Sequence, residues 1–257
     1  MKLTVLTENT CRCGLPSEHG LSIYIETGSR RILFDSGQSG LFAENAQHLG
    51  VDLTRVDTAV LSHGHYDHGG GLMRFLEINQ TADVLVSRYA FAPFYNSEQK
   101  YIGLDAALND SDRVILTDGV TDLGDGLTLY ACNDRETICD LGAFGLTMVK
   151  NGERVPDDFR HEHYLMVEEN GKKILFSGCS HKGILNIAAW FKPDILVGGF
   201  HLMKHPLDDG LIDYAKRLDA YDTDYYTCHC TGEAQYAYIK PYMRRLHYIG
   251  TGDRLEL

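Results

Sequence analysis

Short segments rich in apolar and β-branched residues recur along the chain, and their pattern predicts about a dozen β-strands. Polar residues and glycines separate these segments. The predicted strands are Lys2–Thr7, Leu21–Glu26, Arg31–Asp35, Thr58–Ser62, Asp83–Ser87, Leu127–Ala131, Phe144–Val149, Tyr164–Glu168, Lys173–Ser177, Asp194–Val197, Asp224–Cys228 and His247–Gly250. Apolar residues at helical spacing predict four helices, marked by Leu41, Ala46 and Leu49; by Leu72, Phe75 and Leu76; by Ile184, Leu185, Ala188 and Ala189; and by Leu211, Tyr214, Ala215 and Leu218.

The order of these elements predicts a layered α/β fold. The early strands are joined by short glycine-containing links, which are typical of an antiparallel meander, whereas the later strands alternate with helices. A sheet usually contains about 4–6 strands, so this number of strands favours two mixed sheets face to face with helices outside. A single doubly wound sheet is the competing fold. No linker-like stretch divides the sequence, and we therefore expect a single domain over residues 1–257.

Composition and charge narrow the classes of function. Hydrophobic residues make up 44% of the chain and charged residues 23%, which is typical of a globular protein. The formal net charge is −12, from 24 Lys and Arg against 36 Asp and Glu. This balance argues against a nucleic-acid partner bound by a broad basic surface. It leaves room for a small anionic substrate, because bound cations can reverse the local sign of charge.

The sequence gives no indication of a membrane or a secreted location. The longest apolar run, Ile187–Phe191, is far shorter than the roughly 20 residues of a spanning helix, and the N-terminal stretch has no apolar segment of signal-peptide length. Seven cysteines are an odd number and indicate free thiols, so we expect a cytoplasmic protein. The segments Cys11–Cys13 and Cys228–Cys230 have C-x-C spacing, and we assign them no redox role. The oligomeric state is not indicated.

The segment from Ser62 to His68 carries the strongest chemical signal. It places His63, His65, Asp67 and His68 directly after a predicted strand and before three glycines. Neutral imidazoles and carboxylates are the ligands that zinc-type ions prefer. The pattern predicts that His63 and His65 bind one ion while Asp67 and His68 bind a second. The alternative is a surface loop that is rich in histidine by chance.

Residues 63–68 resemble the H-x-H-x-D-H motif of the metallo-β-lactamase superfamily, and Ile32–Gly37 is similar to its upstream strand that ends in an aspartate. Further segments resemble one branch of the superfamily, labelled 7,8-dihydropterin-6-methyl-4-(β-D-ribofuranosyl)aminobenzene-5′-phosphate synthase. These segments are Glu18–Ser22, Ser177–His181, Gly198–Leu202 and His229–Gly232. The resemblance covers essentially the whole chain. It implies an αββα sandwich with a two-metal site along one edge of the sheets.

The resemblance also implies further metal ligands. His229 matches the last histidine of the superfamily. Common members carry a metal-bridging aspartate after the strand that corresponds to Lys173–Ser177, and this chain offers Cys179 and His181 there. We favour His181 as the ligand. Cys179 is either a small buried residue or a bridging thiolate, because a coordinated cysteine is deprotonated.

Residues 157–163 stand where lactamases and glyoxalases show a G-H-T-x-G-H pattern, which is absent here. Glu162 matches the third-histidine position and His163 lies one residue away. Because a shift of one residue turns a strand side chain to the other face, both cannot point inward in regular structure. We expect Glu162 to face the site as a further ligand. The missing pattern argues against hydrolysis of β-lactams or glutathione thioesters.

Several other residues have weaker signals. His201 follows two glycines at a strand end and is either a contact to substrate or transition state or a structural residue. Asp35 is expected to accept a hydrogen bond from the ring N–H of a ligand histidine, or else to form a turn. Glu18 and His19 either border the pocket or stabilise a loop. The remaining histidines are expected to be surface or structural residues: His48, His161, His205 and His247.

Together these features predict a metal-dependent hydrolase. Two divalent ions, most simply zinc with iron or manganese as alternatives, would hold a hydroxide that attacks a small anionic, phosphate-bearing substrate. Asp67 would also orient the water, and His201 would contact the substrate. One alternative is a synthase that forms a carbon–nitrogen bond between a pterin and an aminobenzene ribose phosphate. Another is a non-catalytic metal or ligand sensor.

Overall fold

Two large mixed sheets form the centre of the computed structural model, which describes residues 1–140 and 142–257. In chain order the strands are β1 (Lys2–Thr7), β2 (Ser22–Glu26), β3 (Arg31–Phe34), β4 (Thr58–Val60), β5 (Asp83–Ser87), β6 (Phe94–Tyr95), β7 (Val114–Thr117), β8 (Val120–Gly124), β9 (Leu127–Tyr130), β10 (Thr147–Lys150), β11 (Glu153–Pro156), β12 (Tyr164–Glu169), β13 (Lys172–Ser177), β14 (Ile195–Gly198), β15 (Asp224–Thr227), β16 (Leu246–Tyr248) and β17 (Arg254–Glu256). The α-helices are α1 (Leu41–His48), α2 (Tyr66–Gly69), α3 (Leu72–Ile78), α4 (Ile184–Phe191), α5 (Asp209–Asp219) and α6 (Glu233–Ile239).

The strand order agrees with the predicted change from meander to helix-linked strands. The first sheet has the order β17-β1-β2-β3-β4-β5-β7, and the second has the order β16-β15-β14-β13-β12-β9-β8. Strands β1, β2 and β3 pair antiparallel, whereas β3, β4, β5 and β7 pair parallel. Strands β13 to β16 are also parallel, and each connection between them contains a helix.

Alternation along the strands creates three apolar layers. Ile23 and Ile25 face the second sheet. In the same layer Phe34 of β3 and Phe176 of β13 meet with ring centroids 5.8 Å apart. Tyr24, between the two isoleucines, points to the opposite face and joins the layer beneath α1 and α3. A third layer packs the second sheet against α4, α5 and α6. The predicted αββα sandwich, with two sheets face to face and helices outside, is therefore confirmed.

Some elements were not predicted from the sequence. A small third sheet contains β6, β10 and β11, and the strand expected at Phe144–Val149 lies instead at Thr147–Lys150 within it. Strands β7 and β8 lie at the outer edges of the two large sheets, where Ile115, Leu116 and Val120 are exposed. Edge strands bury little on either face, so their polarity pattern is weak. The short helices α2 and α6 were also missed.

All seven cysteines are free thiols, as the odd cysteine count indicated. Over residues 1–140 and 142–257, no helix combines the length and the apolar character that crossing a membrane requires.

Candidate metal centre

The predicted site residues meet where the strands of both sheets end. Asp35 follows β3 and His63 lies just beyond β4, and these two strands are parallel neighbours in the first sheet. Cys179, His201 and His229 follow the parallel strands β13, β14 and β15 of the second sheet. The carboxyl ends of parallel strands share one edge, so the fold collects these side chains at one end of the sandwich.

Two pairs of imidazoles converge on one thiol. The Nε2 atoms of His63 and His181 lie 3.3 Å apart, and the Nε2 atoms of His68 and His229 lie 3.2 Å apart. The Sγ atom of Cys179 is 3.2 Å from His68 Nε2, and it lies within 4.8 Å of the donor atoms of both pairs. Cys179 therefore occupies a position shared by two groups of metal donors, and His181 belongs to one of them.

Asp67 completes the second group. Its Oδ2 atom is 3.4 Å from His229 Nε2, 3.9 Å from His68 Nε2 and 3.2 Å from His19 Nε2. Burial raises the pKa of Asp67, but the charge of His68 and hydrogen bonds from His19 and His229 outweigh it and hold the pKa well below its usual range. Asp67 is thus ionised and can offer an oxygen ligand to a cation. His19 lies beside this carboxylate.

Buried oxygens fix the orientation of His63 and His68. Asp35 Oδ2 lies 2.7 Å from His68 Nδ1 and 2.7 Å from the Ser62 hydroxyl, which donates to it. The same Ser62 oxygen lies 2.8 Å from His63 Nδ1 and, with its own proton given to Asp35, accepts a hydrogen bond from the ring N–H. Both rings therefore carry a proton on Nδ1 and turn Nε2 toward the other donors. Such hydrogen bonds orient metal-binding histidines in proteins.

Loop residues after β1 hold His229 in the same way. Asn9 Oδ1 lies 2.7 Å from His229 Nδ1, and Glu8 Oε1 accepts a hydrogen bond of 2.5 Å from the His229 backbone amide. Neither residue was predicted from the sequence. A signal was present, because Glu8 and Asn9 are polar residues that directly follow an apolar strand, as Asp35 does after Phe34.

The donor set fits divalent cations. Burial lowers the pKa of His63 and of His181 well below the usual value, so both imidazoles are neutral. Because Nδ1 of His63 carries its proton, its Nε2 presents a lone pair to His181. The buried Nε2 of His65 has no hydrogen-bond partner among the described residues. Converging neutral imidazoles, a carboxylate and a thiol are suitable ligands for zinc-type ions.

His68 couples metal binding to proton release. Burial lowers its pKa, but the charges of Asp35 and Asp67 outweigh this effect and raise the pKa to about 9. A cation that binds this imidazole would therefore displace a proton, because metal ligation requires the deprotonated ring nitrogen.

Glu162, expected as a further ligand, has both carboxylate oxygens engaged in other hydrogen bonds. Its carboxylate accepts hydrogen bonds from the backbone amides of His181 (2.6 Å) and Lys182 (3.1 Å) and from the Tyr164 hydroxyl (2.5 Å). These contacts direct it at the backbone that carries His181, so the carboxylate positions His181. His163 is also buried, and its amide donates to the Ser62 carbonyl at 2.6 Å.

His161 and Asp157 contact the segment from His63 to His68 and stabilise it. His161 Nδ1 accepts a hydrogen bond of 2.9 Å from the Gly64 amide, and its Nε2 lies 3.2 Å from Asp157 Oδ2. The same Asp157 oxygen is 3.6 Å from His65 Nε2. Gly64 is required here, because a Cβ would overlap the backbone of Ala90. His161 is thus a buried structural residue, one of the two roles expected for it.

The other weaker candidates have clear positions. Glu18 binds the backbone amides of Gln38 and Ser39 and so stabilises a loop, whereas His19 contacts Asp67. His205 lies half-buried beside Phe144. His48 and His247 are exposed.

Several site residues have a left-handed backbone. The φ angles are +60° at Asp35, +53° at His201 and +49° at His229, and +60° at Ser180, which precedes His181. Non-glycine residues adopt this conformation rarely and at an energetic cost, and such residues cluster at functional sites. The strand ends are therefore shaped to aim these side chains rather than to continue regular structure.

A cavity of about 190 Å³ lies over the donor groups. His201 lines it, with its ring centroid 4.3 Å from that of His181, and its buried Nδ1 has no hydrogen-bond partner among the described residues. His201 also forms a donor group with Cys179 and Cys230. The lining residues are His19, His65, Tyr66, Asp67, Asn96, Ile102, Phe144, Leu146, Cys179, His181, His201, Met203, Lys204, His229 and Cys230.

Comparison with known proteins places this geometry in a family. The chain is 30% identical over 263 residues to the 7,8-dihydropterin-6-methyl-4-(beta-D-ribofuranosyl)-aminobenzene-5′-phosphate synthase of Methanocaldococcus jannaschii, with 90% of this chain and 88% of that protein covered. It is also 30% identical over 242 residues to MJ0448, an uncharacterized protein of the same organism, with 90% of each covered.

The crystal structure of Tm1679, described as a metal-dependent hydrolase of the beta-lactamase superfamily, superposes with a TM-score of 0.86 at 29% identity. That comparison covers 100% of this chain and 99% of Tm1679. The family model for the metallo-beta-lactamase superfamily matches residues 16–228. With the αββα fold and the clustered histidines, these matches show that the chain belongs to the metallo-beta-lactamase superfamily, whose fold implies binding of divalent metal.

Proposed function

We propose that this chain is a metal-dependent hydrolase that holds two divalent ions, most simply zinc, and acts on a small phosphate-bearing substrate. His63, His65 and His181 would hold one ion, and His68, Asp67 and His229 the other. Cys179 would contribute a thiolate to both. The observation that carries this proposal is the convergence of two imidazole pairs, with Nε2 separations of 3.3 Å and 3.2 Å, on the Cys179 thiol.

Divalent ions bound here would supply Lewis acidity, which activates water and neutralises charge on a phosphoryl group. The chain's own groups set the geometry. Asp67, ionised and facing the cavity, would accept a hydrogen bond from the attacking water and orient it. His201, with an unpartnered Nδ1 at the cavity wall, would contact the substrate or the transition state.

Local charge supports an anionic substrate although the chain has a net charge of −12. Two divalent ions bring four positive charges, and Asp67 and a Cys179 thiolate return two negative ones, since neutral imidazoles return none. The floor of the cavity would remain cationic while the outer surface repels polyanions such as DNA. The free thiol that this site requires also supports a reducing location such as the cytoplasm.

Turnover of model substrates tests the proposal. The protein loaded with zinc or manganese is expected to hydrolyse bis(p-nitrophenyl) phosphate, and inorganic phosphate is expected to compete. A chromogenic lactam and a glutathione thioester serve as comparison substrates. If lactams or lactones are turned over much faster than any phosphoester, and phosphate does not compete, the substrate class is wrong. Stoichiometric metal without any turnover would instead support a sensor.

A second candidate is a synthase, and the 30% identity to the M. jannaschii synthase over 90% of this chain favours it. In this reaction a pterin and an aminobenzene ribose phosphate would be joined by a carbon–nitrogen bond, with the ions acting as Lewis acids. Incubation of the metal-loaded protein with both compounds, followed by mass spectrometry, distinguishes the two. A joined product in the absence of phosphoester hydrolysis would replace the hydrolase with the synthase.

A further inference from the structure

We infer that the cavity selects a phosphate compound that carries a flat apolar group, with Lys204 pairing with the anionic part and an apolar wall covering the flat part. This inference rests on the proposed function, because it assigns the substrate class of the same site. It adds residues that the metal chemistry does not use. The apolar wall is defined here as Tyr66, Ile102, Phe144, Leu146 and Met203.

The apolar wall contains side chains that the fold itself does not require in the core. Tyr66 remains 38% exposed and Met203 44% exposed, although both are large. Phe144 is half-buried and its ring lies 4.9 Å from that of His201. Exposed apolar surface that is gathered in a concave site marks a ligand-binding position. A tyrosine, a phenylalanine and a methionine together suit a flat ring, because aromatic faces and thioethers pack against π-systems.

Lys204 supplies a positive charge to the same cavity. It is exposed, lines the cavity and has no ion-pair partner among the described residues. It follows His201 and Met203 in the segment after β14, so a single loop brings a cation, an apolar side chain and a histidine to the cavity. An anion held in this cavity would therefore gain Lys204 as a cationic partner.

The size of the cavity sets the scale of the ligand. A dry apolar cavity of about 150 Å³ binds benzene in another protein. The present cavity of about 190 Å³ can therefore enclose one ring while the remainder of the ligand reaches the open side. A small inorganic anion alone would leave the apolar wall in contact with water.

The affinities of two non-hydrolysable anions test the inference without reference to turnover. Methylphosphonate and phenylphosphonate share one anionic group and differ in the ring. Titration calorimetry on the metal-loaded protein is expected to show phenylphosphonate binding at least about 10-fold more tightly, because the ring removes apolar area from water. Phe144→Ala and Met203→Ala are expected to reduce that ratio toward one, because they remove apolar surface that only the ring of phenylphosphonate would cover.

A matched pair of lysine variants tests the role of the Lys204 charge in anion binding. Lys204→Met is expected to weaken both ligands by a similar factor of about 5 to 10, as expected for a lost charge pair at a partly enclosed site. Lys172→Met, an exposed lysine on β13, is expected to change neither affinity. Equal affinities for the two phosphonates, or an unchanged affinity in Lys204→Met, would overturn the inference while leaving the proposed function standing. Failure of both phosphonates to bind the metal-loaded protein would overturn the inference and the phosphate-bearing substrate class together.

Discussion

The Nε2 atoms of His63 and His181 lie 3.3 Å apart although 118 positions separate the two residues in the chain. His63 follows a strand of the first sheet and His181 follows a strand of the second. The packing of the two sheets therefore sets this distance. Since burial keeps both imidazoles neutral, their facing nitrogens fit a shared cation.

Metal content is the first prediction. Protein purified without chelator is expected to contain close to two transition ions per chain, because two donor groups share Cys179. Elemental analysis by plasma mass spectrometry measures this directly. A value clearly below one ion per chain, even after incubation with zinc or manganese, would contradict the two-metal proposal.

The Asp67→Asn substitution tests the second donor group. An amide keeps the size of the side chain but removes the charge that contacts His68, His229 and His19. We expect loss of the ion that Asp67, His68 and His229 would hold. Phosphodiester turnover should fall by orders of magnitude, and the circular dichroism spectrum should be unchanged. Asp83→Asn, at an exposed strand end, is the matched control. Wild-type turnover in folded Asp67→Asn protein would show that Asp67 is not at the reaction centre.

The Asp35→Asn substitution tests a positioning residue. Asp35 orients His68 and, through Ser62, His63, so its loss is expected to weaken metal affinity about 10–100-fold. Competition with a chelator of known affinity measures the change. Unaltered affinity would show that the two imidazoles hold their orientation without the carboxylate.

The shared position of Cys179 gives a spectroscopic prediction. Cobalt(II)-loaded protein is expected to show a sulfur-to-cobalt charge-transfer band that disappears in Cys179→Ser. Cys228→Ser is the matched control, because Cys228 is equally buried but belongs to the apolar core between the sheets. Persistence of the band in Cys179→Ser would assign the coordinating sulfur to another cysteine.

The contact between Phe34 and Phe176 gives a prediction for stability. These rings meet between the two sheets, so Phe176→Ala is expected to lower the free energy of unfolding by about 3–5 kcal/mol. Denaturant unfolding of the metal-free protein measures this change. Because the phenylalanines lie outside the donor groups, the folded variant is expected to bind metal in the wild-type amount. A loss below about 1 kcal/mol would mean that the layer repacks around the missing ring.

The local part of this protein could be predicted from the sequence. The number and order of the predicted strands and helices favoured two sheets face to face with helices outside, and the family resemblance implied the αββα sandwich. The segment His63–His68 could be identified as a metal motif because its donors are close neighbours in the chain. The resemblance to the metallo-β-lactamase superfamily then indicated His181 and His229 at the ends of later strands.

Only the tertiary structure decided which residues support these ligands. Glu162 turns to the amides of His181 and Lys182, because the backbone at that strand entry sets the direction of its side chain. Glu8 and Asn9 reach His229 from the opposite end of the chain. These contacts depend on how the two sheets are packed and on left-handed backbone at single residues, and neither leaves a periodic signal in the sequence. The local pattern of apolar residues therefore determined the layers, whereas sheet packing and buried hydrogen bonds determined how the candidate ligands are oriented.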